Sequence, residues 1–286
     1  CFHACLDDVL HADATRFSDD WLFNYDDIDQ LQSTTTVTGL TSYNDYRAGR
    51  KGVWRSESNY LYQVDRKQTS TSTSKTNIAR DGTYNNFVLY NWKADADKNK
   101  QCSFVSVVTR YSPFGGAIET RDALGIYSAS LQGYKHALTT AAAANCSYFE
   151  LAFDGFEDYS GNYDGHGHMN FVRTVGEGGI TPASGNAHTG KYSLPVTSGD
   201  PLKFQTTTLT TPATNQKFFT PKPNQDYYFS LWVKANVSAT TMPSVTIVDN
   251  SGTTTFNVDL KVAAIEGWRK IEGKIKAGAA SSTVSI

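Results

Sequence analysis

Apolar and polar residues alternate over many short stretches of this chain, and Gly, Pro, Asn and Asp separate these stretches. This two-residue period is typical of a β-strand with one buried face. In the first half the pattern is strongest over 103–111, and it is also clear over 51–65. It predicts further strands at 84–92, 117–121, 126–131, 148–153, 203–210, 227–237, 244–249, 253–262 and 268–275. We therefore predict an all-β fold, in which the closely spaced strands of the second half form a β-sandwich.

One stretch favours a helix instead. Residues 139–145 combine a threonine cap with four consecutive alanines, and alanine has the highest helix propensity. We expect a single short helix, inside residues 136–146.

The sequence changes character around 153–159, an aromatic and acidic segment that reads Phe-Asp-Gly-Phe-Glu-Asp-Tyr. Tyrosine, tryptophan and alanine dominate the residues before it, whereas glycine-rich turns and Thr/Val/Phe alternation follow it. We interpret this segment as the first strand of a second domain. The predicted domains are a β-rich module over 1–150, which includes the short helix, and a β-sandwich over 151–286.

Composition excludes several classes of function. The formal net charge of −2 provides no basic field for nucleic acid or an anionic membrane. No apolar run approaches the roughly 20 residues that a membrane-spanning helix needs. Because the chain does not begin with Met, we expect it to be a piece of a longer protein.

The four cysteines, Cys1, Cys5, Cys102 and Cys146, allow three disulfide pairings, and spacing does not choose among them.

Several carboxylates lie among aromatic residues within 7–29. Paired acids of this kind serve glycosidases or calcium sites. A solvated polar face with the aromatic residues turned inward explains the same pattern. The chain has no phosphate-binding loop, HExxH motif or nucleophile motif that would favour an enzyme. We therefore expect no catalysis, and a glycosidase that uses acids of 7–29 is the alternative.

The run 110–134, together with 10–21, 52–55 and 153–159, resembles a segment of very large secreted surface proteins of the Bacteroidota. Such proteins often carry adhesin-type modules or RHS-like repeats and leave the cell by the type IX secretion route. This resemblance covers roughly residues 8–160. It implies a secreted or cell-surface location, a spacer role for the first module, and partners among other domains of the same chain or the secretion machinery.

Residues 150–286 resemble jelly-roll carbohydrate-binding modules. The resemblance rests on Gly-Phe-Glu at 155–157, Thr-Gly-Lys-Tyr-Ser-Leu at 189–194, Tyr-Tyr-Phe-Ser-Leu-Trp-Val-Lys at 227–234 and Gly-Trp-Arg-Lys at 267–270. It implies a jelly-roll β-sandwich and a structural calcium ion near the opening strand, with Glu157 as a ligand. The acidic final strand of such modules has no counterpart before Ile286, so we expect the sandwich to be truncated at its C-terminus.

The resemblance also implies glycan binding by exposed aromatic residues, which stack against sugar rings. The candidates are Tyr159, Tyr163 and Trp232, each of which would otherwise pack inside the fold. Our expectation is a non-catalytic structural or adhesive module of a surface protein, with glycan as a possible ligand. The alternatives are an accessory part of a glycoside hydrolase and a purely structural module that docks on neighbouring domains or on a secretion partner.

Overall fold

The structure is a computed structural model. It describes residues 9–21, 46, 49, 51–63, 83–84, 87–93, 99, 101–112, 114–134, 136–159, 168–169, 171–173, 182–197, 202–207, 218–235, 243–249, 252–278 and 283–285. In these ranges the chain forms strands and short 3₁₀ turns, among them Tyr148–Glu150, with no α-helix. The predicted all-β fold class is confirmed.

The first sheet contains six antiparallel strands, which follow one another in chain order. Their bounds are β1 Asp13–Ser18, β2 Arg55–Tyr62, β3 Cys102–Tyr111, β4 Ala117–Asp122, β5 Tyr127–Gly133 and β6 Leu138–Ala144. The turn between β4 and β5 is held by Asp122, whose Oδ1 accepts the backbone N–H groups of Leu124 at 2.9 Å and Ile126 at 2.8 Å. The strands predicted at 117–121 and 126–131 are confirmed as β4 and β5.

The predicted helix inside 136–146 is wrong, because this segment is strand β6. Ala141 pairs with Leu131 and Ala144 pairs with Ser128 in the ladder with β5. Thr140 adds a hydrogen bond from its hydroxyl to the Leu131 carbonyl at 3.3 Å. The helix preference of alanine amounts to only a few tenths of a kcal/mol per residue over most other residue types. Pairing with a neighbouring strand therefore overrides it.

Among the described residues, nine further strands form one five-stranded and two two-stranded sheets. The five-stranded sheet has the order β13-β12-β15-β10-β7, while β11 pairs with β14 and β8 with β9. Their bounds are β7 Phe171–Arg173, β8 Ala183–Ser184, β9 Tyr192–Ser193, β10 Leu202–Thr207, β11 Asp226–Lys234, β12 Ser244–Asp249, β13 Gly252–Asn257, β14 Trp268–Lys276 and β15 Thr283–Ser285.

The β11–β14 ladder packs face to face against the sheet that contains β12 and β13. Val245, Ile247 and Ile271 are buried at the centre of this core. Inward-facing residues of β11, among them Phe229, pack around them. Gly273 lies opposite Phe229, and a side chain at this position would collide with the Phe229 and Phe256 rings. This packing agrees with the predicted sandwich, whereas the jelly-roll connectivity and the truncated C-terminus stay predictions.

Three strand predictions are wrong, those at 84–92, 148–153 and 153–159. Residues 87–92 form no strand: the side chain of Asn99 bonds both the N–H and the carbonyl of Asn91, at 2.8 and 3.1 Å, where a strand would place a backbone partner. The segment 148–159 begins with the 3₁₀ turn and continues without a strand. In its second part Phe156 takes a positive φ of 59°, which breaks an extended path.

The chain divides into two compact units, Cys1–Phe23 with Asp27–Tyr127 and Asn24–Asp26 with Ser128–Ile286. The predicted domain boundary near residue 150 is a different division and stays a prediction. No disulfide joins Cys102 to Cys146, and Cys1 and Cys5 lie outside the described residues.

Candidate aromatic binding face

Strand β11 exposes every second side chain, as its alternating sequence predicts. Phe229, Leu231 and Val233 pack into the core, so the residues between them turn outward. The exposed fraction is 81% for Tyr228 and 38% for Trp232. Such exposure of two large aromatic rings on the same face of one strand is characteristic of a binding surface rather than of a core.

Strand β14 completes this surface. Its outward residues lie opposite those of β11 in an uninterrupted antiparallel register, which pairs Tyr228 with Lys274, Trp232 with Lys270 and Lys234 with Trp268. We call the outward side of this ladder the outer face. It consists of Asp226, Tyr228, Ser230, Trp232, Lys234, Trp268, Lys270, Glu272, Lys274 and Lys276.

A loop between β8 and β9 holds one side of Trp232. The His188 ring stacks on the Trp232 ring, with centroids 4.0 Å apart and planes 15° apart, and meets the Trp268 ring edge-on at 5.7 Å. The Thr189 hydroxyl lies 2.8 Å from His188 Nδ1 and helps to orient the imidazole. Trp232 is therefore held in one orientation while more than a third of its surface remains open, and such preorganisation favours ligand binding.

The same loop is fixed at its far end by Glu157. Oε1 of Glu157 accepts the backbone N–H groups of Lys191 at 2.6 Å and Tyr192 at 2.8 Å. Gly190, next to these residues, has a φ of +82°, and a side chain there would collide with the Glu157 carboxylate. Glu157 therefore holds the backbone of the loop that presents His188 to Trp232.

The calcium ion that the resemblance implies has little room among these carboxylates. Calcium takes six to eight oxygen ligands. Besides Glu157, Asp154 accepts the Phe156 N–H and the Tyr159 hydroxyl, and Asp158 accepts the Tyr134 N–H. The donors present at these oxygens are N–H and O–H groups, with which a calcium ion would compete. Among the described residues, no group of three His, Cys, Asp or Glu side chains could hold a metal ion. Calcium at Glu157 stays a prediction.

Tyr159 is half-buried, whereas the sequence predicted it as an exposed sugar-binding residue. Its hydroxyl bonds Asp154, and its ring lies 5.9 Å from the Phe156 ring. Burial and the neighbouring Asp154 carboxylate both raise the pKa of Tyr159. Burial in turn raises the pKa of Asp154 to about 6, although the hydrogen bonds from Tyr159 and Phe156 oppose this shift. Tyr159 is thus placed to hold the 154–159 segment together, and Tyr163 lies outside the described residues.

Of the three predicted sugar-binding residues, the structure therefore places only Trp232 on the outer face. The sequence analysis missed Tyr228, His188 and the lysines of β14 as partners of Trp232. The two-residue period of β11 could have identified Tyr228, since it lies four residues before Trp232. His188 is 44 positions from Trp232 in the chain, and nothing in the sequence pattern links the two.

Comparisons with protein-family models, with curated proteins and with solved structures find no match to this chain. Within the part of the chain that the structure describes, no helix has the length and apolar character needed to cross a membrane.

Proposed function

We propose that the chain is a non-catalytic module of a secreted cell-surface protein and that its second unit binds glycan chains on the outer face. The single observation that supports this binding site most strongly is that the Trp232 ring is fixed by His188 yet partly open to solvent. Tyr228 provides a second exposed ring on the same strand, about 13 Å away at a rise of roughly 3.3 Å per residue. Two rings on the same face of one strand suit an extended chain of sugars.

The chemistry of the outer face supports a sugar ligand. The face of an aromatic ring packs against the C–H groups of a pyranose, while the hydroxyl groups of the sugar need polar partners around the ring. Ser230, Lys270 and Glu272 provide such partners beside the two rings. The location at the cell surface and the adhesive role rest on the resemblance to secreted surface proteins of the Bacteroidota and on the resemblance to carbohydrate-binding modules.

Replacement of Trp232 by alanine tests this proposal. We expect the wild-type chain to bind at least one polysaccharide on a glycan array, and Trp232→Ala to weaken that binding by roughly tenfold or more. The reason is that loss of one stacking ring removes on the order of 1 to 2 kcal/mol. Titration calorimetry with the best array ligand measures the change.

Trp54→Ala is the control, because Trp54 is an exposed tryptophan of the first unit, with an exposed fraction of 67%. We expect this control to bind as the wild type does. Equal loss in both variants, or no loss in Trp232→Ala, contradicts the assignment of the site. Absence of binding to every glycan on the array favours a purely structural module.

A further inference from the structure

Each exposed aromatic ring of the outer face has a lysine directly across the ladder. Lys274 lies opposite Tyr228, with its ammonium nitrogen 6.0 Å from the ring centroid, and Lys270 lies opposite Trp232. In a further pair of the ladder, Lys234 of β11 reaches to 5.9 Å from the ring of Trp268, which is buried and offers no stacking surface. Residues directly opposite in an antiparallel ladder have Cβ atoms about 5 Å apart. A ligand that stacks on one of these rings therefore lies within reach of an ammonium group.

The outer face is basic, although the chain as a whole is acidic. Four lysines and two carboxylates give this face a formal charge of 4 − 2 = +2, whereas the whole chain carries −2. The two carboxylates form ion pairs, Lys270 with Glu272 at 2.7 Å and Lys274 with Asp226 at 2.8 Å. All four of these side chains are exposed, so the pairs are weak and can exchange for a ligand.

Trp232 has two lysines near it, as Tyr228 does, but Asp226 lies beside Tyr228 and not beside Trp232. Lys270 lies across the ladder, and Lys234 is two residues further along the same strand, about 6.6 Å away. Neither Asp226 nor Glu272 lies directly opposite Trp232. A sugar stacked on Trp232 therefore lies next to Lys270, which is ion-paired with Glu272, and near Lys234, which extends over the Trp268 ring.

We propose that the ligand of the outer face is an acidic glycan with one carboxylate on each sugar, a polyuronate. This inference rests on the proposed function and names the class of glycan. The ring of Trp232 takes the C–H face of a uronate, and Lys234 or Lys270 takes its carboxylate. Lys274 lies opposite Tyr228 and Lys270 lies opposite Trp232, so each stacking ring has one ammonium group beside it for the carboxylate of the sugar stacked there. A densely sulfated polymer matches less well, because Asp226 and Glu272 interrupt the basic surface and repel closely spaced anionic groups.

Polygalacturonate and its fully methyl-esterified form are the probes, because they share a backbone and differ in charge. We expect the intact chain to bind the acid form at least tenfold more tightly than the ester, with an affinity that falls as salt is raised from about 50 to about 300 mM. The double variant Lys234→Gln with Lys270→Gln should bind the acid form roughly tenfold more weakly, as expected for two exposed charge contacts. Its affinity for the ester should stay unchanged.

The matched control is Lys203→Gln with Lys261→Gln, which removes two exposed lysines of the same unit that lie outside the outer face. We expect this control to bind both forms as the wild type does. Equal losses in the two double variants, or tighter binding of dextran sulfate than of polygalacturonate, would show general attraction of polyanions and overturn the proposal.

The same experiment separates failure of the inference from failure of the proposed function. If acid and ester bind equally well and both binding reactions require Trp232, the glycan site stands and its preference for acidic sugars is refuted. If neither polysaccharide nor any array glycan binds, the proposed function fails, and the inference fails with it.

Discussion

Replacement of Glu150 by alanine should lower the free energy of unfolding by roughly 2 to 4 kcal/mol, the typical cost of opening a partly buried charged network. One oxygen of Glu150 accepts the Lys222 ammonium at 2.7 Å and both the N–H and the hydroxyl of Ser147, and the other accepts the Tyr227 hydroxyl at 2.7 Å. The substitution leaves the half-buried Tyr227 hydroxyl without this acceptor. Urea denaturation followed by circular dichroism measures the change.

The pH dependence of this network has a defined sign. Burial acts to raise the pKa of Glu150, but hydrogen bonds from Lys222, Ser147 and Tyr227 outweigh it and hold the pKa below its ordinary value of 4.5. The stabilisation by Glu150 is therefore fully present above about pH 4.5 and is lost as the pH falls through the lower, folded-state pKa.

Two variants make the experiment specific. Tyr227→Phe removes a single hydrogen bond of the network and should cost about 1 kcal/mol. Glu272→Ala removes an exposed carboxylate that is ion-paired to Lys270, and should change the stability by no more than about 0.5 kcal/mol. A Glu150→Ala variant that is as stable as Glu272→Ala would show that the network contributes nothing.

Replacement of Asp154 by asparagine should abolish a loss of stability that the wild-type chain undergoes between about pH 4 and pH 6. Burial raises the pKa of Asp154 from 3.8 to about 6 in the folded chain. Between these values the folded state binds a proton that the unfolded state has released, so stability falls as the pH rises. A shift of about two pH units corresponds to on the order of 2 to 3 kcal/mol.

The measurement is the free energy of unfolding at about pH 3.5 and at about pH 7 for both chains. The difference between wild type and variant cancels the contributions of other titrating groups. Tyr159→Phe is the informative companion, because it removes a hydrogen bond that favours the ionised carboxylate. It should raise the pKa of Asp154 further and extend the loss of stability above about pH 6. An Asp154→Asn variant with the wild-type pH dependence would refute this account.

Strands with one face in the sandwich core could be predicted from the sequence. The predicted strand at 244–249 has the bounds of β12, and those at 227–237 and 268–275 differ from β11 and β14 by only a few residues. Each of these strands alternates apolar residues that a second sheet covers. The wrong predictions occur where a contact with a distant segment overrides the structure that the local sequence favours. Alanines 141–144 favour a helix but pair with β5. The backbone N–H and carbonyl of Asn91 form hydrogen bonds with the Asn99 side chain instead of with a neighbouring strand.

The candidate site could be predicted only in part. The period of β11 places Trp232, Tyr228 and Lys234 on one face, but it does not say whether that face is covered. The stack of His188 on Trp232 and the pairing of Lys270 with it depend on contacts between distant segments and on the register of the ladder. Glu157 is a second example, because no pattern in the sequence indicates its hydrogen bonds to two backbone N–H groups.

A crystal structure of the chain with a bound galacturonate oligosaccharide tests the central claim most directly, provided that the outer face is open to solvent in the lattice. The account predicts a sugar ring against the open side of Trp232, with a carboxylate within hydrogen-bonding distance of the Lys234 or Lys270 ammonium. An oligosaccharide that binds in solution but lies away from β11 and β14 in the crystal would contradict it.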